Sequence, residues 1–311
     1  MSRSILMIRS IVVLMGLVLT TAAYCISLDI IDQPSAYVKH SIKTHKNVIS
    51  FIADKRGCSY LVKQNNKKKN GVFSLNSQFK MVRELFGSLV AQHLGIKGHR
   101  VCLIPVGMPY IGKQYTQLLA TLHSVVPGTS LSKSRKSLYK NVFVKQWSPG
   151  RGRGLRKCGL SREVIRSMTA HDTLPEIVAL DTYTANNDRS RNNVFEHNNV
   201  LHIIDMDCSL SYNLAHLAYC QLIALKKKKC LSLRELKALK CYQHTLERSI
   251  KKCSLEKLYA LFDDACVQGD FTQGGIFAHG LPLAHKHRKI LTENFQDVLE
   301  LIKVLRSFDE K

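Results

Sequence analysis

A chain of 311 residues with 45% apolar side chains carries enough hydrophobic material for one large domain or two lobes, which excludes a disordered polyelectrolyte. Its 46 basic residues against 23 acidic ones leave a net charge of +23, a field that attracts anions without choosing among nucleotide phosphates, nucleic acid and acidic lipid. Salt-dependent affinity for nucleic acid follows from that charge alone, and with no recognised binding module no specific nucleic-acid partner is expected.

The first 28 residues stand apart. Arg3 and Arg9 precede an apolar run from Ile11 to Leu19, and Thr20, Thr21, Ala22 and Ala23 follow it. That is the layout of a secretory signal peptide with cleavage after Ala23. Apolar character resumes at Tyr24, Cys25 and Ile26 and reaches Leu28, which leaves an uncleaved membrane anchor or an ordinary buried helix open. Export or anchoring is the expectation, with delivery into another cell as one route. The ten cysteines are scattered, with no Cys-x-x-Cys pair and no matching histidine spacing, so neither a zinc site nor a disulfide framework is expected. Histidines such as His279, His285 and His287 likewise show no metal-site spacing.

Downstream, VISFIAD and CSYLVKQ flank the turn-prone Lys55-Arg56-Gly57 and predict a hairpin. A lysine-rich loop follows at 65–71. Phe79, Val82, Leu85, Phe86, Leu89, Val90 and Leu94 recur at helical spacing, which predicts a helix over 78–94 ended by Gly95. Residues 101–106 and 115–126 read as strands, closed by Pro127-Gly128. The stretch 148–159 is a basic glycine-rich loop beside Trp147. Ser161 is a predicted N-cap with Glu163 in the first turn, and Pro175 opens another helix. Residues 199–205 form a short buried-strand pattern. From Leu214 onward the period is helical apart from 269–280, and the run of lysines at 226–229 reads as a solvated helix face or, more sharply, an attachment point for acidic lipid. The expected organisation is a leader at 1–28, a β-rich lobe at 29–128 and a mainly helical lobe at 129–311, an α+β fold of two lobes.

The chemistry centres on Asp188 and Asn193, five residues apart in a polar loop, and on Asp205 at the end of the apolar strand. Asn and Asp are common turn residues, so the Asp188–Asn193 spacing alone is not distinctive. A loop followed by a buried strand and then an aspartate is more specific, because burial of Ile203 and Ile204 would hold the Asp205 carboxylate rigidly, as a metal ligand requires.

Together, Asp188-Arg189-Ser190-Arg191-Asn192-Asn193 and Leu201-His202-Ile203-Ile204-Asp205 resemble the catalytic and metal-binding loops of the phosphatidylinositol 3-/4-kinase and HipA-like kinase group. Tyr60-Leu61-Val62-Lys63 resembles that group's nucleotide-lysine strand, and Glu84 the helix acid that pairs with the lysine. The resemblance implies a two-lobed protein-kinase-like fold using ATP and Mg2+. It makes Lys63 and Glu84 nucleotide-binding, Asp188 the catalytic base with Arg189 bracing its loop, and Asn193 and Asp205 metal ligands. Ser190 stands where these families often have histidine, and Asp207 where protein kinases have a glycine; Asp207 reads as an extra metal ligand or a surface acid. No glycine-rich phosphate loop precedes Lys63, and 150–154 reads as a substrate or lid loop. The implied partners are a nucleotide, a protein or acidic-lipid acceptor such as a phosphoinositide, and an acidic membrane surface. The alternative is a nucleotide-binding pseudokinase that acts as a scaffold.

Overall fold

The computed structural model describes residues 38–43, 47–53, 59–65, 68–69, 72–73, 75–106, 118–139, 142, 159–228, 231–275 and 277–308. The leader, the 55–57 turn, Trp147, the basic loop 148–158 and Lys229 lie outside the described residues.

The amino-terminal part contains strands β1 (Val38–Lys43), β2 (Asn47–Ala53) and β3 (Ser59–Asn65), and a short pair, β4 (Lys68–Lys69) and β5 (Val72–Phe73), where a loop is expected. Helix α1 (Leu75–Leu94) and strands β6 (Val101–Val106) and β7 (Leu118–Ser124) complete it. The main sheet runs β1–β2–β3–β7–β6, antiparallel throughout. The expected hairpin is present, with Ile49 opposite Lys63, and Lys63 in turn faces Thr121 on β7. Residues directly opposite or two apart share a face of the pleat, so Lys63, Thr121 and His123 lie on one side of the sheet.

Helix α1 covers that side. It starts three residues before the predicted boundary, and Phe79, Met81, Val82, Leu85, Phe86 and Val90 are all buried. Gly95 follows with φ 79°, the left-handed exit that glycine adopts without steric cost. At Gly87 the reason for glycine is close approach, since a Cβ there would meet Ser209 Oγ at 2.5 Å and Met206 Cβ at 2.7 Å.

The remainder is mainly helical. After β8 (Thr129–Ser130) come α2 (Arg162–Met168), whose first turn is capped by the Ser161 side chain, and α3 (Leu174–Tyr183) with Pro175 in its opening turn. Strands β9 (Val194–His197) and β10 (Val200–Ile203) form a hairpin, β8 adding a third strand. Helices α4 (Leu214–Lys228), α5 (Leu233–Lys252), α6 (Leu255–Gln268) and α7 (Leu281–Arg306) follow. Ser232 and Glu235 close a reciprocal capping box on α5. The two-lobed α+β architecture expected from the sequence is the one observed, although β9 falls on residues where no strand is expected. Among the described residues, no helix is long and apolar enough to cross a membrane.

One apolar core joins the lobes. Phe79 meets Phe271 edge-on at 5.0 Å and Phe86 meets Phe262 at 5.7 Å, so α1 is fastened to the helical part as well as to its own sheet. A second fastening is backbone to backbone: Ile203 N–H donates to Lys97 O and His99 N–H to Ile203 O, each at 3.1 Å. The end of β10 is thereby held against the segment that follows α1.

Candidate active site

Strand β3, helix α1 and the turn after β10 converge on one ammonium group. Lys63 Nζ lies 3.1 Å from Glu84 Oε2, 2.7 Å from Asp205 Oδ1 and 3.4 Å from Asp207 Oδ2. Lys63 is buried and Glu84 fully so, while the Asp205 side chain keeps 32% of its surface exposed and faces the open side of the cluster. Burial works against the charge on Lys63, but Glu84, Asp205 and Asp207 outweigh it and hold the ammonium well above its ordinary range. Burial likewise pushes the Glu84 carboxyl up, to about 8, and the adjacent ammonium is what opposes that rise.

Asp205 has φ 60°, a left-handed conformation that side-chain-bearing residues seldom adopt. Such a conformation costs energy and persists where its surroundings over-determine it. Here Ile204 N–H donates to Asn193 O at 3.0 Å and Arg189 Nη1 donates to Ile204 O at 2.7 Å, so both backbone polar groups of the preceding residue are fixed. The Asn193 side-chain nitrogen donates to Asp188 O at 3.2 Å and lies 3.5 Å from Asp205 Oδ2. Lys63, Glu84, Asn193 and Asp205 thus form one chain of side-chain contacts, to which Asp188 is joined through its backbone carbonyl. Asp188 is half-buried, with the Cys208 thiol 3.9 Å from its Oδ2. Burial, with Asp207 and Asp188 alongside, pushes that thiol up to about 12, so it stays protonated beside the carboxylate.

Arg189 turns the other way. It is 2% exposed and donates from Nε and Nη2 to the two oxygens of Asp181 at 3.0 and 2.8 Å, and from Nη1 to Asn193 O at 3.2 Å. It braces the loop from behind, which makes it a positioning residue. Asn186 Nδ2 also donates to Asp181 Oδ1, at 2.9 Å. Asp181 was not singled out from the sequence, although a carboxylate directly after the apolar stretch Ile177–Leu180 was a signal. Asp207 is not a surface acid, its side chain being 13% exposed and paired with Lys63. Lys226 departs from a solvated helix face: Nζ donates to Ser307 Oγ at 2.5 Å and lies 5.6 Å from the centre of the Phe308 ring.

The sequence matches no protein-family model and no curated protein. Among solved structures, the chain is similar to the Helicobacter pylori proinflammatory kinase CtkA, at 14% identity and TM-score 0.43, over 85% of this chain and 95% of that one. It is also similar to the Rio2 kinase of Chaetomium thermophilum, crystallised with ADP, Mg2+ and phosphoaspartate, at 11% identity and TM-score 0.41, over 84% and 75% of the two chains. A third likeness is to the Leishmania major MAP kinase LmaMPK10, at 13% identity and TM-score 0.36, over 89% and 84%.

Proposed function

We propose that this chain is a magnesium- and ATP-dependent kinase that passes the γ-phosphoryl group to a protein or phosphoinositide acceptor. The observation that carries the reading is the Lys63 ammonium bound at once to Glu84 of α1 and to Asp205 beyond β10, residues far apart in the chain that meet at one point. A phosphoryl-transfer site needs a fixed lysine for phosphate, an oxygen-rich metal position and an acid beside the acceptor. Lys63 is held in place for the first of these roles. Asn193 and Asp205 supply the hard oxygen donors magnesium prefers, and the nitrogen of Asn193, committed to Asp188 O, leaves its oxygen for a metal. Bound magnesium and ATP would supply the charge neutralisation and the phosphoryl group. Asp188 would accept the acceptor's hydroxyl proton, while Arg189 and Asp181 hold its loop in register. The acceptor is read from charge. An open cavity of about 530 Å³ beside β8 and β9 is lined by Lys133, Arg135 and Lys136, of which Lys136 pairs with Glu196.

Incubation of the purified chain with labelled ATP, Mg2+ and either a phosphoinositide panel or protein extract tests this, beside Asp188→Ala. Label transfer that depends on Asp188 is expected. Equal transfer by both proteins, or none by either, removes the activity; nucleotide binding without transfer would leave the scaffold alternative.

A further inference from the structure

Behind the Lys63–Glu84 pair lies a second cluster of polar atoms that phosphoryl transfer does not use. Glu84 turns Oε2 to Lys63 and Oε1 away from it, and Oε1 lies 3.9 Å from both His99 Nε2 and His123 Nε2. The three ligand-type atoms all fall within 4.8 Å of one another. Every contributor is deeply buried: Glu84 is 0% exposed and His99 and His123 5% each. Glu84 Oε1 and His99 Nε2 have no hydrogen-bond partner. Native structures seldom leave a carboxylate oxygen and an imidazole nitrogen both buried and unpaired, so such a pair indicates a group between them.

The fold aims these atoms deliberately. His123 shares the sheet face of Lys63, because β7 pairs with β3 in the register Lys63–Thr121 and Leu61–His123. His99 is fixed on both sides of its backbone, its N–H donating to Ile203 O at 3.1 Å and its carbonyl accepting from Ser88 Oγ at 2.9 Å. The rings stand edge to face at 4.6 Å and 83°. Two imidazoles and one carboxylate are the ligand set of many three-residue zinc sites, whose bond lengths of about 2.0–2.2 Å imply donor separations of about 3.3 Å in a tetrahedron. The 3.9 Å separations of Glu84 Oε1 from the two nitrogens need a contraction of about 0.6 Å, and the nitrogens, within 4.8 Å of each other, one of up to about 1.5 Å. Burial holds both imidazoles in the uncharged form that ligates metal. The Thr121 hydroxyl, 2.7 Å from His123 Nε2, would turn from that nitrogen toward the bound ion as a further oxygen.

We propose that Glu84, His99 and His123 form a buried site for one divalent cation of the zinc class, distinct from the magnesium position at Asn193 and Asp205. The ion would join α1 to β7 and to the segment after α1, fixing the carboxylate that positions Lys63. It is a positioning device and takes no part in transfer.

Cobalt(II) substitution of the full-length chain tests the site through its spectrum, independently of kinase activity. One equivalent should give the intense visible bands of four- or five-coordinate cobalt without the near-ultraviolet sulfur band that cysteine ligation would add. Zinc should raise the melting temperature, a chelator should reverse the rise, and His99→Gln and His123→Gln should each abolish the cobalt bands. Should either variant fail to fold, the wild-type spectrum and its chelator reversal still decide the matter. A weak octahedral spectrum, a sulfur band, or a melting temperature indifferent to zinc and chelator would overturn the proposal and assign the gap to a water molecule.

Discussion

Arg189 and Asp181 form a two-pronged ion pair inside the protein, with guanidinium Nε and Nη2 each meeting a separate carboxylate oxygen, at 3.0 and 2.8 Å. The pair links α3 to the loop carrying Asp188 and Asn193, and its remaining donor holds the peptide before Asp205. Removing one partner strands the other as a buried charge, so Arg189→Met or Asp181→Leu alone should each cost about 3–5 kcal/mol. The double replacement should cost clearly less than the sum. Guanidinium unfolding midpoints of the four proteins measure this, and simple additivity would refute the coupling.

Lys63 pairs with three carboxylates, those of Glu84, Asp205 and Asp207. Lys63→Met should abolish the nucleotide-dependent rise in melting temperature and lower phosphoryl transfer by about 10²–10³-fold, the scale for losing one fixed electrostatic contact to the reacting group. Far-ultraviolet circular dichroism of the variant should remain that of the folded chain.

Asp207 lies 3.4 Å from Lys63 and, under the proposed function, would compete with nucleotide phosphate for that ammonium. Asp207→Asn should tighten metal-free nucleotide binding modestly, by up to about fivefold, the scale of a weak ion pair. Calorimetry without magnesium checks it; weaker binding would show that Asp207 does not restrain the lysine.

Gly87 lets α1 lie against Met206 and Ser209. The Cβ of Gly87→Ala would overpack that contact at about 1–3 kcal/mol and displace the residue between Asp205 and Asp207. A lower melting temperature together with weaker nucleotide stabilisation is expected, whereas a melting temperature equal to wild type would show that the turn yields freely.

The His287 ring packs against Phe79 at 4.6 Å, tilted by 32°, and bonds through Nδ1 to the Leu283 carbonyl. Burial, aided by Arg83 and Lys286, lowers it from 6.5 to about 4, although the Leu283 bond opposes the shift. A lowered histidine value means the folded state disfavours the proton. The contribution is therefore complete above pH 6.5 and is lost as pH falls toward about 4. Between pH 7 and pH 5 the loss from this residue is about 1–2 kcal/mol. Urea midpoints at both values should fall less for His287→Phe than for wild type; parallel falls would exclude His287 as a source of acid lability.

Much of this protein was legible in the chain because it is locally encoded. Alternation marked β2 and β3, helical spacing marked α1, and the position of Asp205 just past an apolar strand marked it as a rigid carboxylate. The loop from Asp188 to Asn193 was picked out by resemblance and by the aspartate-ended strand that follows it, since its spacing alone is not distinctive. Tertiary structure alone decided the rest. It gave Arg189 its buried partner in Asp181, drew Asp207 inward, and set His99 and His123 against the far oxygen of Glu84. None of these has a sequence period, because each depends on which faces of two distant elements meet. Burial then sets the strength of the contact, since a charge removed from water must find its partner in space rather than along the chain.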